Sequence, residues 1–338
     1  MMSHLVVASI LVIASAALGS TAPAAELNRI KVGTLAPKGS VFHKALLEMG
    51  AGWKKHRGKK ARFTVYPAGS QGGEHSMVKR MKVGQLNAAL LTAAVGLSDI
   101  DPRLAGVQSI PLAYRSWDEV DHVREGLRDN LDQMIEAKGY KVLFWAEAGW
   151  VHIFSKEPAL TPSDYEGRKV FAWGGYPAQM QMLSKLGYHP VGLETDDLLS
   201  SLQTGLVEVA PMPAIWALAG QFERVAPHML NIKWAPIIGA AIITEKAWGK
   251  LSVESQRVLL DGAKRAAKKI RAQREAFDRN SIAAMQKRGL NVRELTPEAS
   301  AAWRQMVDGI YPQVRGSLVP EAMFDRVQAL LADYRKSQ

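Results

Sequence analysis

The sequence predicts an α/β protein of two lobes, each with a mostly parallel sheet, joined by crossing strands. Three observations support this class. Helix and strand patterns alternate along the chain; the scheme of residues 77–92 is loosely repeated in residues 198–212; and a late apolar strand, Pro236 to Thr244, is placed to cross back to the first lobe. Two such units leave a cleft between them, and clefts between domains commonly bind ligands.

The first 25 residues have the pattern of a signal peptide. The apolar run from Leu5 to Leu18 is too short to span a bilayer comfortably, and small residues at 22–25 precede the first charge, Glu26. No other window reaches the roughly 18 apolar residues of a membrane helix. Cysteine is absent, which excludes disulfides and a lipid on an N-terminal cysteine. We therefore expect an exported, periplasmic chain without stable membrane insertion.

The first lobe is expected over residues 26–148, together with a returning strand at about 236–250. Ser40 has the residue type of an N-cap for a helix that begins near Val41, and Gly84 ends a second helix that begins near Glu74. Alternating or apolar runs predict four strands in this lobe, at residues 29–34, 61–66, 88–92 and 141–146.

The second lobe is expected over residues 149–235. Its predicted strands are residues 151–155 and 169–173, its helices are residues 178–186 and a helix that begins at Asp196 with Thr195 as its cap, and a short helical turn follows Thr161. Residues 251–338 are expected to form a long amphipathic helix, within 252–288, and C-terminal helices that pack across both lobes.

Composition narrows the classes of function. The formal net charge is +11 over 338 residues, but the basic residues cluster at residues 54–60 and on the polar face of the long helix, a pattern typical of solvated helices. We therefore expect no nucleic-acid partner. The eight histidines form no His-Glu-x-x-His motif, and nucleophile-elbow, phosphate-loop and dinucleotide motifs are absent. The sequence thus indicates a protein that is not an enzyme, with no expected cofactor and no candidate metal ligands.

Five stretches resemble one family over nearly the whole mature chain. The sequence is similar to the substrate-binding proteins of TRAP (tripartite ATP-independent periplasmic) transporters, of the DctP type. The order and spacing of the matches carry the resemblance: residues 32–40 with His43, 65–74, 110–112, 167–170 and 202–205. The resemblance implies a two-lobed periplasmic substrate-binding fold that closes over a small molecule and delivers it to separate membrane permease subunits.

Members of this family usually capture an organic acid with arginines, and this chain departs from that pattern. Phe171 stands where the family's main arginine is expected, Val151 follows the Gly-aromatic pair that a second arginine often follows, and Met212 lies in the region of the usual asparagine. A carboxylate placed there would lose its hydration without a guanidinium to replace it. The resemblance and these substitutions together predict a hydrophobic or weakly polar ligand.

The candidate ligand-binding residues are mainly apolar or aromatic: Phe42, Thr92, Glu147, Trp150, Val151, Phe171, Trp173, Met212, Trp216 and Trp234. Bulky residues of this kind also pack in cores, so position alone does not assign them to a pocket. Two alternatives remain open at this point. The protein binds an organic acid through an anchor placed elsewhere, or it handles lipids in the periplasm with the same fold.

Overall fold

The computed structural model describes residues 26–174 and 176–338. The predicted signal peptide, residues 1–25, lies outside the described residues. Over the described part of the chain, no helix combines the length and apolar character needed to cross a membrane.

The structure contains strands at all the predicted positions and further strands, at residues 189–193, 228–231 and 291–294, that were not predicted. The strands are β1 (Arg29–Thr34), β2 (Arg62–Tyr66), β3 (Ala88–Thr92), β4 (Tyr140–Ser155), β5 (Lys169–Trp173), β6 (His189–Leu193), β7 (Val209–Pro213), β8 (His228–Asn231), β9 (Pro236–Thr244) and β10 (Asn291–Glu294). Parallel pairs join β1 to β2 and β3, β5 to β6 and β7, and β8 to β10. Every antiparallel pair involves β4 or β9, the two crossing strands.

The helices cover the sheets. They are α1 (Val41–Arg57), α2 (Glu74–Lys82), α3 (Trp117–Glu136), α4 (Pro177–Lys185), α5 (Leu198–Thr204), α6 (Ala214–Ala219), α7 (Glu245–Trp248), α8 (Val253–Arg271), α9 (Arg274–Gln286), α10 (Pro297–Gln313) and α11 (Glu321–Lys336). Ser40 caps α1 as predicted, because its hydroxyl accepts from the backbone N–H of His43.

The two strands predicted at residues 141–146 and 151–155 are one continuous strand, β4. Its first part pairs with β9 and its last part with β7 and β8, so β4 belongs to both lobes. The gap between the two predicted strands contains Gly149, which lies within β4 at a positive φ of 104°, inside a register shift between Glu147 and Trp150. This irregularity bends the strand without ending it.

The long helix predicted within residues 252–288 is two helices, α8 and α9. The break at residues 272–273 lets each helix pack on a different lobe. Leu259 and Ile270 of α8 join the core beneath α1, whereas Met285 of α9 joins the core beneath α6. A single straight helix would bury its apolar stripe against only one of these surfaces.

The predicted cap at Thr195 is wrong. Residues Thr195–Asp197 form a short 3-10 turn, and α5 begins after it, at Leu198. The hydroxyl of Thr195 is buried without a hydrogen-bond partner among the described residues. The polar run before α5 therefore continues the turn instead of starting the helix.

Candidate ligand-binding site

The two lobes touch across the cleft. The imidazole Nε2 of His75, at the start of α2, lies 3.0 Å from the carbonyl oxygen of Gly174, which follows β5. The indole Nε1 of Trp216 in α6 donates to the carbonyl oxygen of Leu35, which follows β1, at 3.2 Å. The lobes are thus in contact on both sides of the space between them.

A cavity of about 80 Å³ lies between the lobes, and we call it the cleft cavity. Both lobes and the segments that join them contribute to its lining: Ala94, Gln108, Ser109, Pro111, Val151, Trp173, Tyr176, Gln179, Met182, Pro211, Trp234, Ala235, Ile237 and Leu318. No lysine, arginine, aspartate or glutamate is among these lining residues. The cleft cavity is therefore uncharged.

The polar groups of the cleft cavity are mainly hydrogen-bond donors. The side-chain oxygen of Gln108 accepts from the backbone N–H of Ile238 at 3.0 Å, and that of Gln179 accepts from the N–H of Trp173 at 3.2 Å. In both side chains the carboxamide oxygen already accepts a hydrogen bond from the protein. The NH₂ group of each is therefore the polar group that can donate to a ligand. Ser109 Oγ is buried and has no hydrogen bond of good geometry in the described structure. These uncharged donor groups suit a ligand that carries an uncharged hydrogen-bond acceptor, such as a carbonyl oxygen.

A second cavity, of about 50 Å³, lies inside the second lobe, and we call it the inner cavity. It shares four lining residues with the cleft cavity, and its other lining residues are Ile153, Tyr165, Val170, Phe171, Leu183, Tyr188, Val209 and Trp303. The shared residues are Gln179, Met182, Pro211 and Trp234. The inner cavity is thus next to the cleft cavity and is lined mainly by apolar and aromatic groups.

A third cavity, of about 30 Å³, which we call the first-lobe cavity, is lined mainly by the first lobe, with Trp216 of the second lobe in its wall, and shares Ile237 with the cleft cavity. Its one charged lining group is the carboxyl of Glu74, which accepts from the N–H and hydroxyl of Thr92 and from the N–H of Gly96, at 2.7 to 3.0 Å. Burial raises the pKa of Glu74 to about 7, against the opposing effect of these hydrogen bonds. Glu74 therefore ties α2 to the end of β3.

Seven of the ten predicted site residues line these cavities. Phe42, Thr92 and Trp216 line the first-lobe cavity. Val151 and Trp173 line the cleft cavity, Phe171 lines the inner cavity, and Trp234 lines both. Phe171 is 2% exposed, and its ring packs at 5.3 Å, edge to face, on that of Trp173. Phe171 consequently contributes to the second-lobe core as well as to a cavity wall.

The other three predicted residues lie away from these cavities. Glu147 is buried on the opposite side of β4, where its carboxylate lies 3.0 Å from the guanidinium of Arg124, and burial raises its pKa. Trp150 stacks on Trp117 with ring centroids 4.7 Å apart. Met212 is packed within the second-lobe core. Successive side chains of a strand point to opposite faces of the sheet. A residue can therefore be next to a cavity-lining residue in sequence and still point away from the cavity, as these three residues do.

Sequence reasoning missed the polar lining of the cleft cavity. Gln108 and Ser109 come directly before residues 110–112, one of the stretches that carried the resemblance, and Gln179 lies in the first turns of α4. The available signal was their position next to a matched stretch, because the residue types alone are common on surfaces.

A family model matches most of the chain. Residues 32–316 match the family described as bacterial extracellular solute-binding protein, family 7, DctP. The chain belongs to this family. The resemblance expected from the sequence is thereby confirmed, and family 7 proteins are solute-binding proteins of transport systems.

Curated relatives include a solute-binding protein of Roseobacter denitrificans, 25% identical over 73% of this chain and 76% of that protein. Another is the 2,3-diketo-L-gulonate-binding periplasmic protein YiaO of Escherichia coli, 21% identical over 61% of this chain and 62% of that protein.

Solved structures of TRAP periplasmic solute-binding proteins share the fold of this family 7 chain. The protein from Sulfurospirillum deleyianum, with bound succinate, has a TM-score of 0.82 and 23% identity, and the alignment covers 89% of this chain and 98% of that one. The protein from Xanthobacter autotrophicus Py2, with bound β-D-galacturonate, has a TM-score of 0.80 and 17% identity, with coverage of 90% and 99%. The two-lobed fold is thereby confirmed.

Proposed function

We propose that this protein is the periplasmic binding component of a TRAP transporter and that its solute is neutral and mainly apolar. One observation carries the choice of solute: no charged side chain lines the cleft cavity or the inner cavity. Membership of family 7 supports the transport role. Its task is capture and delivery to membrane permease subunits, without catalysis.

The energetics favour a neutral solute. A carboxylate transferred into a closed cavity loses hydration worth several kcal/mol even after relaxation. Arginine compensates such a loss through paired, charge-assisted hydrogen bonds, and Phe171 and Val151 offer none. An apolar solute instead gains roughly 25 cal/mol for each Å² that it buries. The uncharged donors Gln108, Ser109 and Gln179 then orient the solute.

An organic acid held by a relocated anchor is the second candidate. Its support is that related structures contain succinate and β-D-galacturonate. Handling of lipids is less favoured, because the enclosed cavities are small for an acyl chain. Titration calorimetry separates these candidates. We expect no binding of succinate or D-galacturonate and measurable binding of small neutral ring compounds such as cyclohexanone.

Native mass spectrometry of the purified protein, with organic extraction, identifies any solute that remains bound. A neutral compound of low polarity supports the proposal. A sugar acid or a dicarboxylate, bound tightly and reproducibly, contradicts the neutral-solute proposal but leaves the transport role intact. A phospholipid or fatty acid supports the lipid-handling alternative.

A further inference from the structure

The cleft cavity and the inner cavity are adjacent and share one wall. Gln179, Met182, Pro211 and Trp234 line both, so the groups that separate the two spaces are side chains and a proline and include no salt bridge. Their volumes are about 80 and 50 Å³. A cavity of about 150 Å³ holds a benzene molecule. The two spaces together fall slightly short of that volume, so one six-membered ring fits if the side chains of the shared wall move aside.

Each cavity contains a buried hydroxyl that has no well-formed hydrogen bond to the protein. In the cleft cavity it is Ser109 Oγ, and in the inner cavity it is the hydroxyl of Tyr165, a residue that is 2% exposed. Among the residues described by the structure, the Tyr165 hydroxyl makes no hydrogen bond, and Ser109 Oγ makes none of good geometry, its neighbour being the hydroxyl of Tyr176. Buried polar groups without partners are rare in native proteins, because each costs about 1 to 3 kcal/mol. A bound molecule that accepts a hydrogen bond from each would remove both costs.

The second tyrosine of the inner cavity provides the contrast. Tyr188 also lines this cavity and is also buried, but its hydroxyl donates to the carbonyl oxygen of Pro162 at 3.3 Å. The indole N–H of Trp303 is likewise engaged, with the carbonyl oxygen of Leu160 at 2.8 Å. Tyr165 is therefore the hydroxyl of this cavity that is available to a ligand.

We propose that the two cavities form one binding site for a compact neutral ligand that carries an oxygen acceptor at each end of an apolar body. This inference rests on the proposed function and makes it more specific. One acceptor, such as a ketone, lactone or amide carbonyl, lies in the cleft cavity near Ser109. The apolar body crosses the shared wall, and the second acceptor meets Tyr165 in the inner cavity.

Matched ring compounds and matched variants test the proposal by calorimetry. Cyclohexane-1,4-dione has two acceptors, and 4-methylcyclohexanone has a similar shape with one. The Tyr165→Phe variant is expected to lower the affinity for the dione relative to the methyl compound by roughly tenfold, the effect of one buried hydrogen bond. Tyr114→Phe, which removes a buried hydroxyl that donates to the carbonyl oxygen of Val107 outside both cavity linings, is the control, and its ratio of affinities is expected to equal that of the wild type. An unchanged ratio in Tyr165→Phe overturns the role of Tyr165.

A second pair of variants tests whether the inner cavity is occupied at all. Leu183→Phe places a larger side chain in the wall of the inner cavity, whereas Leu186→Phe makes the same change near the end of the same helix, outside both cavity linings. We expect Leu183→Phe alone to weaken both ring compounds by about tenfold or more. Equal affinities in the two variants overturn the two-cavity site. If wild type binds succinate and neither ring compound, the proposed function itself fails.

Discussion

His75 of the first lobe donates its Nε2–H to the carbonyl oxygen of Gly174 in the second lobe, at 3.0 Å. Its Nδ1 contacts the carboxylate of Asp99. The side chain of His75, which contacts an aspartate of its own lobe, thus bonds to the main chain of the other lobe.

Removal of this contact is expected to favour the open arrangement of the lobes. His75→Ala deletes one of the hydrogen bonds that cross the cleft. In proteins that close by hinge bending, the lobes move as rigid bodies between an open and a closed arrangement, so loss of a contact between the lobes favours the open one. Small-angle X-ray scattering of the ligand-free protein checks this, with a larger radius of gyration expected for the variant. His56→Ala, an exposed histidine at the end of α1, is the control. Identical scattering from all three proteins would show that His75 does not hold the lobes together.

The bend in β4 predicts an unusually costly glycine substitution. Gly149 has a φ of 104°, and an added Cβ would stand 2.5 Å from the carboxylate oxygen Oδ1 of Asp278, whose other oxygen accepts from the N–H of Trp150. Gly149→Ala therefore combines backbone strain with a clash, and we expect a loss of about 2 kcal/mol or more.

Gly139→Ala is the matched control for this position. Gly139 also has a positive φ, 83°, but nothing lies within 4 Å of an added Cβ, so strain alone is expected to cost about 1 kcal/mol. Urea denaturation measures both values. Equal losses for the two variants would mean that Asp278 moves away freely and does not hold the bend.

The family's arginine is not expected to be tolerated at its usual place. Phe171→Arg would bury a guanidinium in the second-lobe core, against Trp173 and without a carboxylate partner, at a cost of several kcal/mol. We expect a markedly lower melting temperature and no gain of succinate binding. Lys169→Arg, at an exposed position of the same strand, is the control and should melt like wild type. A stable Phe171→Arg protein that binds succinate would refute this prediction.

Glu74 gives the protein a specific pH dependence. Burial raises its pKa to about 7 from the ordinary 4.5, so the folded state binds the proton more tightly than the unfolded state. The resulting stabilisation is complete below the unfolded pKa and is lost as pH rises through about 7. Its upper limit is on the order of 3 kcal/mol.

Comparison with Glu74→Gln isolates this effect, because glutamine does not titrate. We expect the difference in unfolding free energy between wild type and variant to shift in favour of the variant as pH rises from 5 to 8. Chemical denaturation at each pH measures it. A difference that stays constant over this range would mean that Glu74 keeps its ordinary pKa.

Much of the fold could be predicted because its signals are local. The end of α1 and the strands β1, β3, β5 and β9 follow from apolar runs that stop at polar or glycine residues. The continuity of β4 could not be predicted, since Gly149 is a typical chain breaker and its partner Asp278 is 129 positions away. The break between α8 and α9 could not be predicted either, because it depends on the positions of the two separate cores against which the two helices pack.

The candidate site was predictable only in its apolar part. Trp173, Trp216 and Trp234 line cavities as their size and position indicated. The polar lining depends on distant partners: Gln108 is oriented by Ile238, which is 130 positions away. Whether Tyr165 or Tyr188 keeps an unpaired hydroxyl is decided by a loop carbonyl, at Pro162, that no sequence pattern identifies.

The hydrogen bonds that His75 and Trp216 make across the cleft both end on main-chain oxygens, at Gly174 and at Leu35. A carbonyl group is present whichever amino acid occupies the position, so the accepting half of each contact is immune to mutation of its side chain. In these two contacts only the donor side chains, His75 and Trp216, are constrained by the bond. Cavity-lining side chains other than that of Trp216 take no part in either contact, so the lining can change from one solute to another while both bonds are kept.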